Sequence, residues 1–328
     1  MSWSGRRVLV TGAGGFIGSH LAERLASEGA KVRAFVHYNA RGDWGNLEFV
    51  PEALKRRLEV VSGDIRDPFF MREAVKGRDT VFHLAALIAI PFSYRSPMLY
   101  VESNVKGTLN VLQACLDGGV RRMVHTSTSE VYGTAQSVPI TEDHPLVGQS
   151  PYAASKIGAD QMAVAYHRSF GLPVVILRPF NTYGPRQSLR AVIPTIIGQA
   201  LKGPRVLLGN TRPTRDLTYV GDTVEAFLRA GSARGVEGRV LQAGTGREIS
   251  VGELARAILA QIRPDGRIVL DRQRVRPGAS EVGRLLADPS RARRLLGWKP
   301  RTSLEDGLRR TIAWYRTVPS ARVERYAV

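Results

Sequence analysis

The sequence predicts an α/β fold, a doubly wound parallel sheet followed by a smaller irregular α/β lobe. Three observations predict it. Strand and helix periodicities alternate through the first half of the 328 residues, a glycine-rich turn joins the first strand to the first helix, and regularity decays after residue 178. A strand over 7–10 leads to a crossover helix over 16–27, with Ile17, Leu21 and Leu25 on its apolar side. Further strands are expected over 31–36, 58–62 and 80–84, with a helix over 68–76 that opens on a tolerated first-turn proline. A long helix over 100–117 stops at Gly118-Gly119, and a strand follows over 122–127. A helix over 152–170 closes at Gly171 before a strand over 174–177. Beyond that, helices are expected over 192–201, 220–230, 251–261 and 304–315, separated by short strands. The division expected is a cofactor domain over 1–178, to which 215–245 returns, and a substrate lobe from 179–214 and 246–328.

Composition narrows the function classes. No apolar run approaches the length of a bilayer span and no leader is visible, so a cytoplasmic protein without membrane association is expected. The single cysteine, Cys115, rules out an internal disulfide and a multi-cysteine metal centre, and reads as core packing. No metal site is expected. The formal charge of +18 comes from arginines spread along the whole chain. That spread argues against a nucleic-acid face and suits an anionic small-molecule substrate.

The turn at Gly12, Gly15 and Gly18 carries the first chemical signal. Missing side chains let the backbone turn sharply, approach a pyrophosphate and seat the helix on the strand, the arrangement of a Rossmann-type dinucleotide site. Phe16 and Ile17 then open a helix whose free N–H groups favour the phosphates. An acid after the second strand would hold the ribose of NAD, but Val36 stands there, followed by His37 and Arg41. The expectation therefore leans to NADP within a general NAD(P) reading. Asp64 and Ile65, past the third strand, are candidates to flank the adenine.

A second signal lies downstream. Tyr152 and Lys156 stand four residues apart on one helix and so share a face. A lysine cation beside a tyrosine, together with the oxidised nicotinamide, favours the phenolate and brings the phenol nearer the range of a usable base.

The pairing of TGAGGFIGSHL (11–21) with SPYAASK (150–156) resembles the extended short-chain dehydrogenase/reductases. The resemblance continues through HLAA (83–86), NVKGT (104–108), RPFNTYGPR (178–186), RDLTYV (215–220) and GWKP (297–300), nearly the whole chain. It implies a nucleotide-sugar epimerase, dehydratase or decarboxylase with Thr128, Tyr152 and Lys156 as the catalytic set. It implies also that Leu84, Ala85, Ala86, Asn104 and Thr126 line the cofactor. Asn181, Val192, Arg215 and Arg276 would face the sugar nucleotide, whose base is not decoded. A homodimer built on the helices over 100–117 and 152–170 is the family's usual assembly.

The segment TSTSEVYG (126–133) bears on the reaction. Glu130 can remove the C5 proton that a 4-ketone acidifies, and Ser129 or Glu130 would assist loss of the C6 hydroxyl. This segment resembles GDP-mannose 4,6-dehydratases and N-acetylhexosamine dehydratases, and FVHYN (35–39) and LIAIPFSY (87–94) look most like the legionaminate-type N-acetylhexosamine enzymes. A 4,6-dehydratase is expected, with tightly held cofactor regenerated in each cycle. The alternatives are a 4-epimerase, a UDP-glucuronate decarboxylase, a two-substrate alcohol dehydrogenase, and a cofactor-binding regulator without chemistry.

Overall fold

Seven strands in the order Val240–Ala243, β6 (Val174–Pro179), β5 (Arg122–Thr126), β4 (Thr80–His83), β1 (Arg7–Thr11), β2 (Lys31–His37) and β3 (Leu58–Gly63) form one sheet, parallel throughout. The computed structural model describes residues 2–274 and 278–318. The expected doubly wound α/β fold is therefore the observed one.

Alternation along each strand sends side chains to opposite faces, and both faces are covered. Val8 and Val10 join Leu21, Leu25, Phe82 and Phe227 in one core, while Leu9 joins Phe35, Val81, Leu112 and Met123 in the other. Each such buried side chain contributes about 1.5–3 kcal/mol. Cys115 lies fully buried in the second core, where burial pushes its thiol up and keeps it inert, as expected.

Helix ends follow the local chemistry. Asp67 accepts from the N–H groups of Phe69 and Phe70 to start Pro68–Val75. Ser150 does the same for Ala153 at the start of Pro151–Phe170, and Gly171, at φ 69°, ends that helix in the left-handed region. The helix expected over 100–117 starts earlier, at Pro97, and carries a π-helical turn over Val101–Lys106 before Gly107–Asp117. A π turn inserts one residue into the helical path and leaves no trace in composition.

A third core, away from the large sheet, joins Val192–Lys202, Val251–Ile262 and Leu304–Thr317 through Ile193, Ile197, Leu254, Ile258, Leu308 and Ile312. Strand Thr214–Tyr219 carries Asn181–Tyr183 and Arg284–Leu285 in parallel and Glu248–Ser250 antiparallel. Among the described residues no helix is long and apolar enough to cross a membrane.

Candidate active site

The glycine turn is shaped by close approach. Gly12 sits at φ 70°, and a Cβ there would lie 2.7 Å from the Ala85 nitrogen. A Cβ on Gly18 would fall 2.1 Å from the Gly12 carbonyl oxygen, so helix α1 (Phe16–Ser27) can pack here only without a side chain. Gly15 precedes α1 and no side chain caps it, which leaves the first-turn N–H groups open to an anion. Phe16 and Ile17 are partly buried against the core. The Thr11 hydroxyl accepts from the N–H groups of Leu84 and Ala85 at 3.2 Å each, which fixes the Leu84–Ala86 segment beside the glycine turn. These close approaches fit a dinucleotide pyrophosphate.

His37 closes β2 and Arg41 lies beyond it, both exposed, and the Arg41 N–H donates to the Asn39 side chain at 3.0 Å. Asp64 is bound to Arg66, whose guanidinium holds the carboxylate below its usual range against the opposing effect of partial burial. Ile65 is buried and fills the space a Cβ on Gly107 would need.

The catalytic candidates meet at the carboxyl end of β5. Thr128 caps a short 3₁₀ turn, Ser129–Tyr132, by accepting from the Glu130 N–H at 3.2 Å. Its hydroxyl also stands near enough to the Tyr152 phenol to favour the charged form. Ser129 is buried and Glu130 half-buried, close enough that its carboxylate acts on that phenol. Lys156 donates from Nζ to the Thr126 carbonyl at 2.7 Å.

Burial pushes the Tyr152 phenol above the ordinary tyrosine range, and the Glu130 charge adds to this while the Thr128 hydroxyl opposes it. Lys156 falls to about 8, because burial outweighs the pull of Asp160. In both groups desolvation is the leading cause.

The Asn181 Oδ1 and Thr126 Oγ1 atoms are buried with no hydrogen-bond partner among the described residues. Val192 opens its helix at partial burial. Arg215 donates to the Thr214 carbonyl at 2.9 Å and lies 3.8 Å from Glu281. Arg276 lies outside the described residues.

Comparison with known proteins adds the lineage. The family model described as GDP-mannose 4,6 dehydratase matches residues 9–311. The chain belongs to that family. Its members are extended short-chain dehydrogenase/reductases, so the resemblance of the motifs is borne out. The chain is 37% identical to a dTDP-glucose 4,6-dehydratase of Actinoplanes sp., over 94% of this chain and 98% of the relative. It is 35% identical to a UDP-glucose 4-epimerase of Mycolicibacterium smegmatis, over 94% and 98%. A dTDP-glucose 4,6-dehydratase double mutant from Streptomyces venezuelae, solved with NAD bound, superposes with a TM-score of 0.84 at 36% identity, over 95% of this chain and 97% of that one.

Within this family member the sequence reading missed the polar network under the site. Asp160, one helical turn past Lys156, accepts from Ser127 Oγ at 2.7 Å and from Arg178 Nη2 at 3.0 Å, and His125 Nε2 lies 3.2 Å away. Burial raises its carboxyl, but His125, Arg178 and Lys156 together bring it below its usual range. Arg178 continues to the Tyr132 hydroxyl at 3.0 Å. Asn104, expected at the cofactor, holds the Leu87 backbone at both N–H and C=O and donates to Ser155 Oγ at 2.9 Å. The i+4 spacing of Lys156 and Asp160 was a usable signal; the partners from β5 and β6 were not.

Proposed function

We propose that this chain is a nucleotide-sugar 4,6-dehydratase that makes a nucleotide-bound 4-keto-6-deoxy sugar. The observation that carries the reading is Glu130, a half-buried carboxylate two residues past Thr128 and within electrostatic reach of Tyr152. Bound NAD(P) supplies acceptance of hydride from C4 and its return to C6. Thr128 hydrogen-bonds the sugar O4, and Tyr152, ionised where the Lys156 cation and the oxidised nicotinamide together would offset the cost of burying a phenolate, takes the O4 proton. Glu130 removes H5, and Ser129 or Glu130 protonates the departing C6 hydroxyl. The unpartnered oxygens of Thr126 and Asn181 support their assignment to cofactor and sugar nucleotide. Arg215 remains our candidate for the anionic part of the substrate.

Solved relatives with NAD bound favour NAD over the NADP expected from residues 36–41. We read the substrate as a dTDP-, UDP- or GDP-hexose, and the molecule as a cofactor domain (1–178, with 215–245) joined to a nucleotide-sugar lobe. A 4-epimerase is the second reading, because Ser129 supplies no dedicated acid and a 4-epimerase is among the relatives.

The test is mass spectrometry of products from a panel of sugar nucleotides without added cofactor. A product lighter by one water supports the dehydratase, and Glu130→Gln is expected to lower its formation by roughly 10²–10⁴. A product of unchanged mass with inverted C4 supports the epimerase instead.

A further inference from the structure

We propose that Arg186 is a positioning residue that latches the segment 44–49 over the glycine turn, so that cofactor retention depends on the substrate-lobe side of the molecule. The inference rests on the cofactor reading above.

Arg186 follows the short strand Asn181–Tyr183 and adopts φ 67°, the one non-glycine residue in the left-handed region among those described. An L-residue stays in that region only where its surroundings over-determine it. Here they do. The guanidinium is buried, and Nη2 donates to Glu23 Oε2 on α1 at 2.6 Å and to the Phe49 carbonyl at 3.3 Å. The Arg186 carbonyl accepts from Asn46 Nδ2 at 3.1 Å. His20, one turn before Glu23 on α1, bonds the preceding Pro185 carbonyl at 3.0 Å. Burial and the Arg186 charge bring that imidazole down to about 4, so it is neutral at physiological pH and donates from Nε2.

The other end of the latch rests on the glycine turn. The Asn46 N–H donates to the Gly14 carbonyl at 2.8 Å. A Cβ on Gly14 would stand 2.9 Å from the Trp44 carbonyl oxygen, and one on Gly45 would stand 2.6 Å from the Gly14 oxygen. The two backbones are thus in contact with nothing between them. Phe49 packs edge-on against Trp314 of Leu304–Thr317, with ring centroids 5.4 Å apart. One side chain therefore ties α1, the segment on the glycine turn and the chain leaving β6 into a single unit. A dinucleotide seated on the turn leaves only when that unit loosens.

The experiment measures the rate at which prebound NAD is released into cofactor-free buffer. The proteins compared are wild type, Arg186→Lys, Glu23→Gln and Asn46→Ala. Ile258→Val, in the core of the other lobe, serves as a control for general loosening. Release is expected to quicken roughly tenfold or more in Arg186→Lys and Glu23→Gln, the loss of one charge-assisted hydrogen bond. Asn46→Ala is expected to quicken it less, with its fold intact. Wild-type release rates in the folded variants overturn the latch alone, as does equal quickening in Ile258→Val at matched thermal stability. A wild-type chain that binds neither NAD nor NADP overturns the latch and the cofactor reading together.

Discussion

Lys156 spends stability on chemistry. Its ammonium is buried and stands at about 8, against 10.5 for a lysine in water. Below about pH 8 both folded and unfolded chains carry this proton, and the cost of burying the cation is present in full. Between about 8 and 10.5 the folded chain sheds a proton that the unfolded chain keeps, so stability rises with pH over that window. Wild type is therefore expected to gain unfolding free energy relative to Lys156→Met from pH 8 upward, read by denaturant titration across pH. Parallel curves would remove this account. Arg178 makes the opposite case. Its partner Asp160 is fully buried, and Arg178→Met is expected to cost about 3–5 kcal/mol because it strips a buried carboxylate of its main cation. A change under 1 kcal/mol in the same titration would contradict this. The Tyr152–Lys156 spacing was visible in the chain because both groups sit on one helix. The Asp160–Arg178 pair was not, since nothing local in either segment announces a partner 18 residues away on another element.

Elements were legible where a local signal ends them. The glycine after Phe170 and the proline at 68 set boundaries that the structure keeps to within a residue. The helix over Pro97–Asp117 starts earlier than expected, at a first-turn proline, and its π turn holds Asn104 against Leu87 and Ser155, contacts that no local pattern announces. The three-residue strands flanking Thr214–Tyr219 are too short to carry a period, and the lobe they build went unread in detail. The first strand and helix allow a sharper prediction. Gly18→Ala places a methyl against the Gly12 carbonyl, so α1 must move off β1. Loss of bound NAD through gel filtration is expected, together with a lowered thermal midpoint. An alanine variant that keeps its cofactor would show that the turn has slack the packing denies.

At the scale of the whole molecule, Met98, Leu99 and Val101 leave apolar surface on the helix that carries Asn104, and Phe170 is exposed at the end of the neighbouring helix. We propose that a second copy covers this face in a homodimer. Met98→Glu combined with Val101→Glu is then expected to give a monomer by light scattering, and a wild-type monomer would refute the assembly. The edge of the large sheet has a different consequence. Strand Val240–Ala243 pairs with β6 only after the chain has left the sheet, laid down half of a separate core and come back. A fragment ending at Arg178 would hold every group assigned to proton transfer, yet expose β6 as an open, entirely buried-type edge. Gene fusions, split reporters and domain exchanges made at that seam should therefore yield aggregates, while whole-chain transplants of the surface loops should not.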